Sequence, residues 1–280
     1  YTSYSPTIES VTELAEKGIK PDIIYLTHVL GISNDMQRVK DLWPGVMIIE
    51  DCCESHGAID PRSGAKVGTT GIGSTFSFYF GHHMNTVEGG MISVNDRDLY
   101  NLMRAKRSHG LSREMLPHQR NLVEHEYSDI DPLFLFPTKG YNFRNTESGA
   151  VLGRIQLKKL DAWNKKRSEN YYAFCMQMAP QHWIEHVATP EGNSAMTLPF
   201  HCCTERQASH LKKELKRRGI ETRPFLVGNL LLQPFMSGYT SPIKLPNTER
   251  MHTHSFYIGN NQFVTPADIR ALAQELKCVF

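Results

Sequence analysis

The sequence lacks the features that define several special classes of protein. No stretch approaches the roughly 18–20 uninterrupted apolar residues of a transmembrane helix, and the N-terminus has no basic segment followed by an apolar one, as a signal peptide would. The charges nearly cancel, with 31 basic and 29 acidic residues among 280, so no nucleic acid or anionic membrane is indicated as a partner. The sequence therefore predicts a globular, cytoplasmic protein without a nucleic-acid or membrane partner.

Cysteine is scarce, and its spacing does not fit the common metal sites. The six cysteines include two adjacent pairs, Cys52-Cys53 and Cys202-Cys203, and none lies at the two-residue spacing of zinc or iron–sulfur knuckles. We expect reduced, mostly structural thiols. A cluster assembled across the fold stays open as an alternative at this point.

Short apolar runs alternate with helical patterns in the first half of the chain, which favours strand–helix–strand units on a largely parallel sheet. We predict a helix in NDMQRVKDLW and a second helix that Asp96 caps and Gly110 ends. The predicted strands lie in 22–31, 46–53, 75–80 and 91–96. The last two flank the Gly89-Gly90 turn and should pair.

The pattern changes twice in the second half. Residues 112–139 carry scattered charge and three prolines, which predicts an irregular excursion, whereas 140–178 return to a helical period that predicts one long linking helix. Beyond residue 180 we predict strands in MTLPFHC, IETRPFLV and FYIGN, and helices in TERQASHLKKELKRRG and PADIRALAQELKCVF. A large domain over 1–165 and a smaller α+β domain over 166–280 follow from this pattern.

Acidic and polar side chains follow two of the predicted strands. Ligands of an open parallel sheet bind beyond the carboxyl ends of its strands, where Glu50, Asp51, Glu54 and His56 come after one strand and Ser77 after another. Asp51 fits a helix cap or a loop salt bridge, and it equally fits a carboxylate that keeps a cationic ring nitrogen protonated, as pyridoxal chemistry requires. Ser77 fits a bond to the backbone or a phosphate acceptor.

Five motifs in order resemble the DegT/DnrJ/EryC1/StrS family of pyridoxal-phosphate-dependent sugar aminotransferases. They are IIEDCCESHGA, KVGTTGIGSTFSFYF, EGGMISVNDRDL, RSHGLSRE and GYNFRNTESGAVLGRIQLKKLD, and TRPF at 222–225 is a weaker sixth. The resemblance implies an α/β fold of the aspartate-aminotransferase type, with a mainly parallel sheet in the large domain and a smaller C-terminal α+β domain. It also implies pyridoxal 5'-phosphate or pyridoxamine 5'-phosphate as cofactor and a homodimer with shared active sites.

The resemblance assigns roles to four residues. Asp51 would bind the pyridine nitrogen of the cofactor, Ser77 its phosphate, and Asn142 the phosphate of the neighbouring subunit's cofactor. Glu54 would also contact the cofactor, near its ring, at a position where the aminotransferases usually have glutamine. The replacement of an amide by a carboxyl group changes this contact.

The lysine that holds the cofactor covalently in this family is replaced here by His82, with His83 beside it. Imidazole cannot form that covalent link, but its ordinary pKa of about 6.5 suits proton transfer near neutral pH. The same replacement is found in the sugar 3-dehydratase branch of the family. Lys139 is the nearest alternative lysine in the sequence beside Asn142, and we expect it at the surface.

The resemblance therefore implies dehydration at C3 of a nucleotide-linked 4-keto-6-deoxy sugar, with His82 as the proton-transfer base and glutamate as an amine donor. Two alternatives remain: a nucleotide-sugar 4-aminotransferase that also uses glutamate, and a regulatory homologue without turnover. The destination would be a deoxysugar for a polysaccharide.

A metal protein is a further alternative, since potential ligand residues are concentrated within about 40 residues of sequence. They are Cys52, Cys53, His56, His82, His83 and Glu88. Adjacent side chains of an extended segment point apart, which argues against a shared ion and predicts that no metal is bound.

Family members normally carry about a hundred residues before the region that matches Tyr1, including the first strands of the large domain. We therefore expect the sequence to be a fragment that lacks the N-terminal part of the large domain.

Overall fold

The computed structural model describes residues 8–185, 191–277 and 279. Its helices are α1 (Ile8–Glu16), α2 (Met36–Leu42), α3 (Arg97–Arg107), α4 (Pro117–Glu126), α5 (Glu147–Leu157), α6 (Leu160–Met178), α7 (Glu205–Arg217), α8 (Pro246–His254) and α9 (Pro266–Leu276). Its strands are β1 (Ile23–Thr27), β2 (Met47–Asp51), β3 (Gly73–Ser77), β4 (Gly90–Val94), β5 (Thr197–His201), β6 (Arg223–Pro224) and β7 (Ser255–Gly259). None of the helices in these ranges is both long and apolar enough to span a membrane.

The first sheet has the order β1-β2-β3-β4, in which the first three strands are parallel and β4 is antiparallel to β3. Asp51 at the end of β2 pairs in register with Thr75 of β3, two residues before Ser77. Because side chains alternate along a strand, Asp51, Thr75 and Ser77 project from the same face of the sheet. The predicted strands and the pairing of the last two are confirmed, but Gly90 is the first residue of β4 and not part of a turn.

The two faces of this sheet differ in burial. One face packs against α2, where Leu26 and Ile48 form a core with Met36 and Val39. The other face leaves large apolar side chains exposed, including Ile23, Tyr25, Met47 and Ile92. Asp51 and Ser77 lie on this open face, so a ligand has access to them.

The second sheet has the order β5-β7-β6 and is antiparallel throughout. Apolar residues of β5 and β7 pack against α6, α7 and α9 in the largest core of the described chain, which includes Tyr171, Phe174, Phe200, Leu211 and Phe256. The hydroxyl of Thr204 caps α7, and Thr265 and Asp268 form a reciprocal capping box on α9. These caps confirm the two helices that the C-terminal pattern predicts.

Three predictions about the connecting regions are wrong. Residues 112–139 are not wholly irregular, because they contain helix α4, which begins at Pro117. This helix buries none of its residues, so its sequence shows no apolar period that would predict it. The predicted long helix over 140–178 is two helices that break at 158–159. Only Arg223–Pro224 forms a strand in IETRPFLV. In addition, the pattern missed α1 and α8.

Small residues of α5 allow close packing. A Cβ at Gly153 would lie 3.2 Å from the side chain of Thr86, and one at Gly149 would lie 3.4 Å from it. These glycines let α5 lie directly against the segment that follows His83, while α6 turns away to pack against the second sheet.

Candidate active site

Asp51 ends β2 and is held by two hydrogen bonds on a single oxygen. Its Oδ1 accepts from the amide of Cys53 at 3.1 Å and from the hydroxyl of Thr75 at 3.2 Å. The hydroxyl of Tyr25 lies 3.0 Å from that of Thr75. Since the Thr75 proton goes to Asp51, Tyr25 donates to Thr75. The two hydroxyls fix the orientation of the carboxylate, and because both hydrogen bonds go to Oδ1, Oδ2 is left for a ligand.

Glu54 lies in the turn after β2, within electrostatic reach of Asp51. Its Oε2 accepts from the amide of Leu30 at 3.0 Å, a residue with a φ of 55°. Burial raises the pKa of Glu54, and the neighbouring Asp51 charge raises it further, against the lowering effect of the Leu30 amide. A glutamine would accept the same amide without the charge, so the acidic residue provides a carboxyl that can carry a proton.

Ser77 and His82 complete the group at the carboxyl ends of the parallel strands. The Oγ of Ser77 accepts from the amide of Tyr79 at 3.2 Å, and the half-buried ring of His82 lies edge-on to the ring of Tyr79. Burial lowers the pKa of His82, partly offset by a hydrogen bond to the Ser77 backbone and by the charge of Asp51. A neutral imidazole that can accept a proton therefore stands beside a fixed carboxylate.

The two adjacent histidines have different environments. His83 is fully buried, and its Nε2 donates to the carbonyl of Ser194. Burial, followed by the positive charge of Arg167, holds the pKa of His83 well below its ordinary value. His82 thus faces the site, while His83 links the first sheet to the segment before β5.

Asn142 lies apart from the other predicted site residues. It forms an isolated antiparallel bridge with Ser108, and its Oδ1 accepts from Nε of Arg144 at 3.4 Å. Tyr141 and Phe143 on either side of it are exposed by 60% and 70% and stack at 5.0 Å. The structure thus brings Asp51, Glu54, Ser77 and His82 together within one chain and places Asn142 on the surface. Lys139 is exposed as well.

Glu50, one residue before Asp51, points to the opposite, buried face. Its carboxylate accepts from Nε2 of His28 and from the amides of Gly68, Thr70 and Gly71, at 2.6 to 3.0 Å. Four donors outweigh burial, which would raise the pKa, and lower it to about 2. Glu50 therefore fastens the glycine-rich loop before β3.

One group among the described residues has the spacing of a metal site, with ligand atoms of His28, Glu50 and Cys52 within 4.8 Å of one another. The two nitrogens of His28 are already engaged, since Nδ1 accepts from the Asn34 amide at 2.9 Å and Nε2 donates to Glu50. Burial raises the pKa of the Cys52 thiol, with further increases from nearby carboxylates. These contacts account for the group without an ion. The adjacent-histidine site considered from the sequence is not among such groups.

Sequence reasoning missed two residues that support Asp51. The alternation of side chains in TFSF and IIYLT places Thr75 and Tyr25 on the same face of the sheet as Asp51. Their hydrogen bonds to one another and to Asp51 depend on the register between three strands, which the sequence does not give. A groove of about 640 Å³ between β4, α3 and α5 has an apolar lining and includes Thr75 but none of the four clustered residues. The four clustered residues thus lie outside this groove.

The chain matches the DegT/DnrJ/EryC1/StrS aminotransferase family over residues 2–277. The GDP-4-keto-6-deoxy-D-mannose 3-dehydratase of Yersinia pseudotuberculosis is 31% identical over 269 residues, which cover 92% of this chain and 67% of that protein. The chain thus spans about two thirds of the length of this relative.

Two solved structures are similar over nearly the whole chain. A GDP-4-keto-6-deoxymannose-3-dehydratase variant with bound GDP-perosamine has a TM-score of 0.87 at 27% identity, covering 98% of this chain and 72% of that one. A second such enzyme, with a trapped PLP–glutamate geminal diamine, has a TM-score of 0.82 at 26% identity, covering 94% and 70%. The chain has the fold of these pyridoxal-phosphate-dependent enzymes, as its motifs predict.

Proposed function

Because the chain belongs to the DegT/DnrJ/EryC1/StrS aminotransferase family, we propose that it acts on a nucleotide-linked 4-keto-6-deoxy sugar and removes the C3 hydroxyl, using pyridoxamine phosphate. The observation that carries this proposal is the position of His82 beside Asp51 and Ser77, where the aminotransferases have a lysine. Between Lys66 and Lys106 the sequence contains no lysine at all. Its similarity to GDP-4-keto-6-deoxymannose 3-dehydratases supports the same reaction.

The residues at the strand ends fit the cofactor. The carboxylate of Asp51 is oriented by Thr75 and carries an oxygen free for a cationic ring nitrogen. The hydroxyl of Ser77, on the same open face, suits a phosphate oxygen, and Glu54 lies near enough to Asp51 to approach the ring. When bound, the cofactor supplies a cationic ring that accepts the electron pair of a broken C–H bond.

The side chains of this chain would then divide the work. Asp51 keeps the ring nitrogen protonated, while Tyr25 and Thr75 hold the carboxylate in one orientation. His82 accepts and returns protons, since its lowered pKa keeps it neutral near pH 7. It cannot anchor the cofactor covalently, so the bonds from Asp51 and Ser77 must retain it. Glutamate as amine donor is supported by the glutamate adduct in one relative.

A sugar 4-aminotransferase is the second candidate, because the family includes transaminases such as the dTDP-3-amino-3,4,6-trideoxy-alpha-D-glucose transaminase of Streptomyces venezuelae, 29% identical over 87% of this chain and 60% of that protein. Mass spectrometry of reactions with pyridoxamine phosphate, glutamate and GDP-4-keto-6-deoxymannose separates the two. Deoxygenation gives a sugar with one oxygen fewer, whereas transamination replaces the keto oxygen by an amino group.

Borohydride reduction in the presence of pyridoxal phosphate gives an independent test. Wild-type protein should retain no pyridoxyl group at the site, whereas His82→Lys should retain one after reduction. His82→Asn, which restores neither a base nor a lysine, should lose the deoxygenation reaction and serves as the matched control. A pyridoxyl-lysine recovered from the wild-type site, or an amino sugar as product, would refute the role of His82.

We further propose a homodimer in which Asn142 reaches the phosphate of the partner's cofactor. The exposed aromatic rings on either side of it are typical of interface residues and support this placement. If each site draws on two chains, a mixture of Asn142→Asp and Asp51→Asn chains should regain part of the activity that each variant lacks. Activity that stays absent in the mixture contradicts the shared site.

The division into a cofactor domain over 1–165 and a small domain over 166–280 also stays a proposal. The two separate cores, one under the first sheet and one around the second, support it. A cytoplasmic location is proposed on the free thiols of Cys52, Cys53, Cys202 and Cys203, which suit a reducing compartment.

A further inference from the structure

His82 lies in a loop over residues 79–85 that follows β3. The base of the loop is closed by the amide of Thr86, which donates to the carbonyl of Phe78 at 2.9 Å. Within the loop, the amide of His82 donates to the carbonyl of Tyr79 at 3.0 Å and so closes a turn. These bonds shape the loop, but they do not fix it against the elements around it.

Side-chain contacts attach the loop to other parts of the protein. Gln156 of α5 forms a reciprocal pair with the backbone of Asn85, in which its Nε2 donates to the carbonyl at 2.8 Å and its Oε1 accepts from the amide at 3.0 Å. His83 makes a second attachment, because its Nε2 donates to the carbonyl of Ser194. Of the two attached loop residues, His83 is the one that a peptide bond joins to His82.

The carbonyl that receives His83 belongs to a firmly held segment. Ser194 is fully buried, and its amide donates to the carbonyl of Gly31 at 2.9 Å. The side chain of Asn260 donates to the carbonyl of the next residue, Ala195, at 2.8 Å. The segment is thus held from the loop after β1 and from the residue that follows β7, and it gives His83 a rigid support.

Packing alone does not explain a histidine at position 83. The side chain is 2% exposed, and its Nδ1 is buried without a partner in the part of the chain that the structure describes. An apolar ring would fill the space without an unpaired polar atom, which is costly inside a protein. What the imidazole adds is the directed hydrogen bond from Nε2 to Ser194.

The surroundings of the His82 ring depend on where the loop lies. The ring lies edge-on to that of Tyr79, with ring centres 5.6 Å apart, and it bonds to the backbone of Ser77 and feels the charge of Asp51. Asp51 and Ser77 belong to the sheet, so a loop that shifts moves His82 relative to them. A misplacement of about 1 Å at a reacting group can cost ~100-fold in rate.

We propose that His83 is a positioning residue for His82: its hydrogen bond to the carbonyl of Ser194 fixes the loop over 79–85 and so holds the His82 imidazole beside Asp51. This inference rests on the proposed function of His82 as the proton-transfer base. The bond joins the first sheet to the segment that leads into β5. The second sheet therefore takes part in setting the geometry of the reaction.

The groups that face the two rings set the direction of the pH effect. Burial lowers the pKa of His82 most, whereas its backbone bond and the charge of Asp51 raise it. Burial, then the charges of Arg167 and His56, hold the pKa of His83 well below its ordinary value, so His83 stays neutral and keeps its Nε2 proton for the bond. A loop released from its support exposes His82, whose pKa should then rise toward the ordinary 6.5.

The test uses the full chain labelled with ¹⁵N-histidine, in which ring nitrogen shifts followed against pH give the pKa of each histidine. In His83→Phe, which fills the space but cannot donate, we expect the pKa of His82 to rise and the acid limb of kcat to move to higher pH. The value of kcat should fall ~10- to 100-fold with little change in KM. His83→Gln, which keeps an N–H donor of similar reach, should restore the pKa of His82 and most of kcat.

His83→Met repeats the comparison with a flexible apolar side chain, should His83→Phe fail to fold. His201→Phe is the matched control, because it replaces a similarly buried histidine and removes its bond to Ser255 in the second sheet, and it should leave the pKa of His82 unchanged. If the apolar variants at position 83 lose stability but keep the pKa of His82 and kcat, the bond only stabilises the fold and the inference is overturned. The spectra need no substrate, so they decide the role of His83 even if the sugar reaction proves to be different.

Discussion

Substitution of Glu50 by glutamine tests how the site's loop is held. The buried carboxylate receives four hydrogen bonds, of which two go to Oε1 and two to Oε2. A glutamine must present an NH₂ group in place of one of these oxygens, so two donors would face another donor. The loop over 68–71 would lose one or two of its three bonds to residue 50 of β2, depending on which oxygen is replaced.

The magnitude follows from the pKa of Glu50. Each pH unit of difference is about 1.4 kcal/mol, so lowering the pKa from 4.5 to about 2 corresponds to about 3 kcal/mol in favour of the charged carboxylate in the folded state. Two unpaired buried donors, at about 1–3 kcal/mol each, give a cost of the same size. We expect Glu50→Gln to lower the free energy of unfolding by about 3 kcal/mol at pH 7.

Urea unfolding at pH 7 measures this loss as a lower midpoint with an unchanged slope. Glu126→Gln is the control, because Glu126 is exposed at the end of α4 and should change the midpoint little. The carboxylate of Glu50 has a lowered pKa, so its contribution is complete above pH 4.5 and is lost as the pH falls toward 2. More than half of the difference between Glu50→Gln and wild type should therefore be gone by about pH 3.

Two results would refute this reasoning. A midpoint of Glu50→Gln equal to that of Glu126→Gln would mean that the four bonds contribute no net stability. A loss of the expected size that stays constant between pH 7 and pH 3 would mean that the charge of Glu50 is not its source.

Three further predictions concern backbone strain, acid stability and the site itself. Gly31→Ala should lower the free energy of unfolding by about 2–4 kcal/mol, because the φ of Gly31 is +89° and a Cβ would lie 2.6 Å from backbone atoms. Gly18→Ala is the control, with a φ of +74° and open space around the Cβ, and it should cost only about 1 kcal/mol. Equal losses of stability in thermal unfolding would contradict the close approach at Gly31. Burial lowers the pKa of three histidines that lie almost wholly out of solvent. The unfolded state therefore binds their protons first, and stability should fall as the pH drops from 6.5 toward 4, by up to about 1.4 kcal/mol per pH unit for each. They are His56, His83 and His201. Equal urea midpoints at pH 7 and pH 5 would rule this out. Thr75→Val keeps the shape of the side chain but removes the hydrogen bond from the hydroxyl to Asp51. It should weaken the binding of pyridoxamine phosphate about 10-fold, as measured by titration calorimetry. The control Thr253→Val, on α8, should leave the binding unchanged.

The sequence was sufficient where a local pattern has one structural solution. Alternation in TFSFYF and the glycine pair after it determined β3 and β4, and Asp96, Thr204 and Thr265 marked helix starts that the structure confirms. It failed where burial imposes no period. Helices α4 and α8 bury none of their residues, and α1 is only nine residues long. The break at 158–159 arises because α5 and α6 pack against different partners.

The chemistry divides in the same way. The sequence by itself determined the family and the replacement of lysine by His82, because both are properties of residue identity and order along the chain. Only the tertiary structure decided that Tyr25 reaches Asp51 through Thr75, that Glu50 faces the opposite side, and that His83 reaches the carbonyl of Ser194. Strand register and long-range packing set these contacts, and neither can be read from spacing along a single chain.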